Sequence, residues 1–193
     1  ILRQDPNIIM VGEIRDSETA GIAVQAALTG HLLLSSLHTN DAPTVVPRLF
    51  DLEVPPFLVV SVLNIIVAQR LVRRICQTCI TSYEIGPEVQ KVIRDQLQEL
   101  ALDPNKVKLP KNFYHGQGCL SCGNTGYRGR LGIFEVLDIN EEIKKIIIDP
   151  DFSLEKLRLS SRAAGMKTMF EDGLEKVELA MTTIDEVLRV IRE

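Results

Sequence analysis

The sequence predicts an α/β layered domain, then a four-cysteine metal-binding module, then a mainly helical C-terminal part. Three observations carry that expectation. Short apolar runs at residues 8–11 and 31–37 have the length and composition of fully buried strands, with a helix-forming stretch between them. Four cysteines fall into two matched Cys-x-x-Cys pairs. From residue 141 onward the apolar spacing is helical and is punctuated by caps and glycines.

The first strand ends at Gly12-Glu13. Asp16 or Ser17 is placed to cap a helix running to Leu28, and Gly30 to terminate it. The small residues Ala20, Ala23, Ala26 and Ala27 on that helix allow close packing against a sheet. After the second strand, Asn40 or Asp41 opens a helix toward Asp51, which Pro47 should bend or divide. The apolar stretch at residues 54–68 reads as one buried helix opened by Pro55-Pro56, too short to span a bilayer. Residues 70–75 read as a strand leading into the first cysteine pair. Strand, helix, strand, helix, helix, strand is the order of part of an α/β layer.

Beyond the first cysteine pair, residues 87–102 predict an amphipathic helix and residues 103–112 a connector. Gly123, Gly126, Gly129 and Gly132 mark turns, with a strand at residues 132–137. Helices follow at residues 141–148, at 153–164 (stopped by Gly165) and at 167–181. A final helix opens with the capping-box pattern Thr183-Ile184-Asp185-Glu186. The expected division is 1–75, 76–130 and 131–193.

Composition narrows the function classes. The chain has 193 residues, 45% hydrophobic and 25% charged, with a net charge of −4. That is an ordinary globular balance, and it supplies no general attraction to nucleic acid or an anionic membrane. The chain starts without Met and runs directly into a strand, so further sequence is expected before Ile1.

Two polar clusters terminate the two strands. In Gly12-Glu13-Ile14-Arg15-Asp16 a carboxylate stands at the C-terminal end of a buried strand, where open α/β sheets place their ligands. An acidic residue there in P-loop ATPases acts on magnesium-bound or attacking water; the alternative for Glu13 is a helix-capping charge. The second strand ends in Ser36, His38, Thr39 and Asn40. If the strands are neighbours, Glu13 and His38 face one crevice, with His38 able to meet a terminal phosphate. His38 otherwise caps the next helix. His31, at the opposite strand end, reads as structural. Arg15 and Arg48 have the guanidinium chemistry for phosphate, but Arg48 fits a surface ion pair better. No Gly-x-x-x-x-Gly-Lys-Ser/Thr loop is present, and Gly165-Met166-Lys167-Thr168 only imitates its end.

Cys76-Gln77-Thr78-Cys79 and Cys119-Leu120-Ser121-Cys122 are suited to one tetrahedral zinc ion. The 39 residues between the pairs must fold as their own insert. Gly123 suits a turn that aims backbone N–H groups at sulfur. Redox cysteines or inert buried thiols are the alternatives, and His115 is a spare ligand if one cysteine is free.

Taken together, these motifs resemble the type II secretion and type IV pilus assembly ATPases of the secretion ATPase superfamily. Residues 2–7 with Met10-Val11-Gly12-Glu13-Ile14-Arg15-Asp16 look like the family's Walker B region. Leu28-Thr29-Gly30-His31 through Leu37-His38-Thr39-Asn40-Asp41 look like its histidine box. Gln69 to Arg73, the cysteine pairs, residues 125–130 and Gly132-Ile133-Phe134-Glu135 resemble its zinc-bearing module; residues 172–176 and 183–190 resemble its closing helices. The departures are Asn7 where Asp is common, and Pro47 where a helix former is usual.

The resemblance implies the C-terminal part of a RecA-like P-loop ATPase core, with a zinc module and a helical subdomain. It implies homo-hexamers that hydrolyse ATP with Mg2+, working from the cytoplasmic side with inner-membrane secretion or pilus platform proteins. Glu13 and His38, with Arg15, are then the catalytic set, and Cys76, Cys79, Cys119 and Cys122 the ligands of structural zinc. The phosphate-binding loop is expected before Ile1, leaving residues 1–193 inactive alone. Two other readings remain. Arg70, Arg73, Arg74, Arg128 and Arg130 around the cysteines suit a zinc-ribbon nucleic-acid binder, although the net charge and scarce aromatics oppose it. A zinc-stabilised docking module without catalysis is the other.

Overall fold

The computed structural model describes residues 6–100, 102, 107 and 109–192. Residues 2–5 of the Walker B-like segment and 103–106 and 108 of the expected connector lie outside them. Six strands and eight helices are formed among the described residues: β1 (Ile8–Val11), α1 (Ser17–Leu28), β2 (Leu32–Ser35), α2 (Val45–Asp51), α3 (Pro56–Val62), β3 (Ile65–Ile75), β4 (Ile80–Tyr83), α4 (Pro87–Glu99), β5 (Phe113–Gly116), β6 (Tyr127–Asp138), α5 (Glu141–Ile147), α6 (Leu154–Ala163), α7 (Met169–Glu178) and α8 (Ile184–Arg192). No helix among the described residues is long and apolar enough to cross a membrane.

The chain divides into two compact units, one from residues 1–68 and 135–166, the other from residues 69–134 and 167–193. Strands β3 and β6 pair.

In the first unit β1 and β2 pair in parallel, Ile8 opposite Leu32 through Val11 opposite Ser35. Helix α1 connects them. Asp16 is its cap, accepting the Thr19 N–H at 2.8 Å, and Gly30 leaves the helix at φ +93°, where a Cβ would be strained. Ala20, Ala23 and Ala26 are buried, as their size suggests. Ala20 and Ala23 join a core of Val45, Val46, Leu49, Val59, Ile66, Ile143, Ile147 and Leu157. Pro47 bends nothing: α2 begins only at Val45, so Pro47 lies in the first turn, where a missing N–H breaks no intrahelical bond.

The single helix expected over residues 54–68 is a correction. Helix α3 stops at Val62, Leu63 is extended (φ −85°, ψ 122°), and Ile65 already belongs to β3. The β-branched run Ile65-Ile66-Val67 favours a pleated strand, and pairing with β6 gives its backbone the partners that a helix would have supplied internally.

In the second unit the 39-residue insert is strapped by β4 against β5, antiparallel, with Ile80 opposite Gly116 and Tyr83 opposite Phe113. Helix α4 packs Ile93 and Leu97 against Phe113 and against Phe170, Leu174, Val177 and Val187 of α7 and α8. Thr168 caps α7 in a reciprocal box with Glu171, which accounts for the loop-like Gly-Met-Lys-Thr tetrad.

Candidate functional site

Parallel pairing of β1 with β2 puts their C-terminal ends side by side, and each then delivers one polar side chain. His38 Nε2 lies 3.0 Å from Glu13 Oε2, and Arg15 Nε donates to the same oxygen at 2.8 Å. A carboxylate can only accept, so Nε2 carries the proton in this contact. Both bonds land on Oε2, leaving Oε1 without a partner among the described residues. The hydrogen bond from His38 does most to hold the Glu13 carboxyl below its ordinary value; desolvation opposes it, and Arg15 adds to it. All three side chains are reachable from solvent, with the Glu13 side chain 38% exposed and that of His38 78%.

The segment after His38 is tethered from several sides. Asp41 accepts the Thr44 N–H at 2.9 Å and the Arg158 Nη2 of α6 at 2.6 Å. The buried carboxylate of Glu135, on β6, accepts the Ala42 N–H at 2.9 Å. Arg158 and Glu135 are missing from a sequence-level site because they act over separations of 117 and 93 residues. His31 bonds locally, its Nδ1 3.1 Å from the Ala26 carbonyl at the end of α1.

The second site lies at the base of the insert. Cys76 and Cys79 follow β3, while Cys119 caps and Cys122 ends a 3-10 turn at Leu120–Cys122. The four sulfurs lie within 4.8 Å of one another, with Cys76–Cys119 and Cys79–Cys122 at 3.9 Å and Cys119–Cys122 at 3.7 Å. Tetrahedral Zn–S bonds of about 2.3 Å put sulfurs about 3.8 Å apart, so the donor set fits such an ion. The N–H groups of Cys119 and Gly126 point at Cys122 Sγ at 3.2 and 3.3 Å. Gly123 adopts φ +60° and makes the turn, but its own N–H goes to the Leu120 carbonyl.

Cys79 and Cys122 are shifted in opposite directions. Burial pushes Cys79 up to about 12. Burial acts in the same direction on Cys122, but the Cys119 and Gly126 N–H groups overcome it and bring the thiol down to about 6. His115 is not part of the cluster; it sits on β5 with its ring edge-on to Tyr83 at 5.0 Å.

Of the arginines flanking the cysteines, Arg73 is bound to Glu186 and lies over the Tyr127 ring, and Arg128 donates to Ser121. A feature with no warning in the motifs is the approach of Gly116 to Gly126. A Cβ on Gly116 would stand 2.1 Å from the Gly126 carbonyl oxygen, the same carbonyl that accepts the Cys76 N–H.

The parallel strand pair, with α1 as its crossover helix, thus ends in a carboxylate–imidazole contact. The fold is shared with the solved structure of the pilus retraction motor PilT with bound ADP, at a TM-score of 0.61 and 24% identity over 98% of this chain and 40% of that one. It is the RecA-like fold of the secretion ATPases. The profile of the family described as Type II/IV secretion system protein matches residues 1–189, and the chain belongs to that family. It is 46% identical over 187 residues to the type IV pilus assembly ATPase PilB of Thermus thermophilus, covering 97% of this chain and 20% of that protein. Against the type II secretion system ATPase E of Vibrio cholerae it is 43% identical over 193 residues, covering 100% and 36%. The chain thus spans between about a fifth and about a third of the length of these curated relatives.

Proposed function

We propose that these residues form the C-terminal part of an ATP-hydrolysing motor that powers type II secretion pseudopilus or type IV pilus assembly. The observation that carries the reading is the 3.0 Å contact between Glu13 and His38 at adjacent parallel strand ends, within a chain of this family. Glu13 acts as the carboxylate on magnesium-bound or attacking water, with Oε1 turned to that task while Oε2 is held by His38 and Arg15. His38 meets the terminal phosphate, so that its bond to Glu13 exchanges with nucleotide state. Arg15 holds the carboxylate oxygen that His38 also contacts, and its guanidinium suits phosphate.

Cys76, Cys79, Cys119 and Cys122 hold one structural zinc ion, which supplies cross-linking of the insert and no step of hydrolysis. The sulfur separations and the N–H groups aimed at Cys122 support this. The motor works as a homo-hexamer in the cytoplasm, against inner-membrane platform proteins; the names of its relatives support only the pilus-assembly and secretion roles. Nucleic acid is not its partner: the net charge is −4, and Arg73 is already committed to Glu186. Residues 1–193 alone neither bind ATP tightly nor hydrolyse it, because the sequence carries no phosphate-binding loop.

Glu13→Gln in the full-length protein tests the reading. Loss of the negative charge should leave nucleotide affinity intact and lower turnover by roughly two orders of magnitude. Parental turnover with a lowered melting temperature would instead make Glu13 a structural charge.

A further inference from the structure

We propose that Ser36 is a positioning residue for the Glu13–His38 pair, gripping the backbone on both sides of Glu13. The proposal rests on the reading of that pair as the hydrolytic edge of a nucleotide site. The regular ladder between β1 and β2 ends at Val11 opposite Ser35. One step further, the Ser36 hydroxyl donates to the Gly12 carbonyl at 2.7 Å, and the Ser36 carbonyl accepts the Ile14 N–H at 2.9 Å. Residues 12 and 14 are the two neighbours of Glu13, so one residue fixes the carboxylate-bearing backbone before and after it.

The hydroxyl is needed where it acts. Gly12 has no side chain and lies just past the last paired residue, so without a donor its carbonyl and the peptide to Glu13 are free to rotate. The Ile14 bond uses backbone on both sides and survives any substitution. His38 lies two residues after Ser36, so the same anchor sets the height of the imidazole relative to the carboxylate. A 3.0 Å hydrogen bond with two partners crowded on Oε2 is sensitive to a shift of a few tenths of an ångström in either strand end. A purely structural Ser36, exposed at the surface, would contribute only one hydroxyl bond and would leave the catalytic parameters alone.

Ser36→Ala removes the donor, whereas Ser36→Thr keeps it. In the full-length protein, Ser36→Ala should lower kcat about tenfold with nucleotide Kd changed by no more than about twofold, and Ser36→Thr should restore kcat. In the full-length protein, the Glu13 carboxyl followed by isotope-edited infrared spectroscopy should titrate at higher pH in Ser36→Ala than in the parent, and unchanged in Ser36→Thr. Parental kcat in Ser36→Ala, equal impairment in Ala and Thr, or an unmoved Glu13 midpoint overturns the proposal. Glu13→Gln measured alongside separates the two ideas. If it stops turnover while Ser36→Ala does not, only the positioning role fails. If it turns over normally, the reading of the site fails, and the Glu13 midpoint alone still decides whether Ser36 positions it.

Discussion

Arg73 and Glu186 are joined twice: the Arg73 backbone N–H donates to Glu186 Oε2 at 2.9 Å, and its guanidinium Nη2 to Oε1 at 2.7 Å. Around them the Thr182 hydroxyl donates to the Arg73 carbonyl, the Ile75 N–H to the Met181 carbonyl, and Arg189 to both Glu186 oxygens. The end of β3, which leads into Cys76, is thereby fastened to the start of α8. Glu186 itself is 1% exposed, and a charge so buried persists only because every side of it is satisfied.

This pairing makes stability depend on acid. Burial alone would raise the Glu186 carboxyl, but hydrogen bonds from Arg189 and Arg73 bring it down to about 2 from an ordinary 4.5. A depressed carboxyl stabilises the fold fully above its unfolded value and loses that contribution as pH falls through the folded one. The expected loss runs from about pH 5 to about pH 2 and amounts to no more than about 3 kcal/mol. Glu186→Gln should be less stable than the parent at neutral pH, and its melting temperature should fall less over that acid range. Parallel acid profiles for the two proteins would remove Glu186 from the account.

Metal removal should act on one unit. Structural zinc contributes on the order of 10 kcal/mol of apparent binding free energy, more than a loop-rich insert gains from its own core. Purified protein should contain one zinc per chain. Chelation or Cys119→Ser should abolish hydrogen-exchange protection in β4, β5 and residues 117–126, while α1 and α5 keep theirs, because their core of Val46, Ile143 and Leu157 holds no residue of the insert. Zinc well below one per chain, or an unchanged melting curve for Cys119→Ser, counts against the four-thiolate site.

Gly116→Ala probes the same site without touching a sulfur. The new methyl would meet the Gly126 carbonyl at 2.1 Å, so β5 must retreat from the loop that gives Cys122 its N–H donor and Cys76 its acceptor. A loss on the order of 2 kcal/mol is expected, the usual scale of overpacking. Weakened zinc retention should accompany it in a competition with a chromogenic chelator. Full zinc retention by a destabilised Gly116→Ala would show that the glycine contact and the thiolates are energetically separate.

Local features of this chain were legible and non-local ones were not. The strand at Ile8–Val11, the Asp16 cap, the Gly30 stop and the two cysteine knuckles all follow from residues within a few positions of one another. Even the meeting of Glu13 and His38 needed only the assumption that the strands are neighbours. The 54–68 run reads as one helix in sequence because a continuous apolar stretch has no period, and the Pro55-Pro56 start says nothing about where the helix stops. Strands β4 and β5 are four residues each and find one another across the whole insert, which no local pattern announces. Thr183 does cap α8, its hydroxyl accepting the Glu186 N–H at 3.2 Å, but the Glu186 carboxylate leaves the capping box for an arginine 113 residues away.

His38→Ala should separate electrostatic from mechanical loss. The hydrogen bond from His38 is the largest influence lowering the Glu13 carboxyl, so in residues 1–193 the variant should move the Glu13 titration toward its ordinary value. Arg15 remains, and the shift should be partial; Arg15→Ala added to it should complete the return. At neutral pH the carboxylate is ionised in every variant, so a change of charge cannot explain any loss of turnover. If His38 meets the terminal phosphate as proposed, His38→Ala removes the link between the nucleotide and the segment that Asp41 and Ala42 tie to Arg158 and Glu135. In the full-length protein turnover should therefore fall, and a conformational probe on α6 should lose its difference between ATP- and ADP-bound states. Arg158→Ala, which leaves Glu13 and His38 in place, should weaken that difference while sparing nucleotide affinity. An undiminished ATP–ADP difference in both variants would leave His38 a local partner of Glu13 and nothing more.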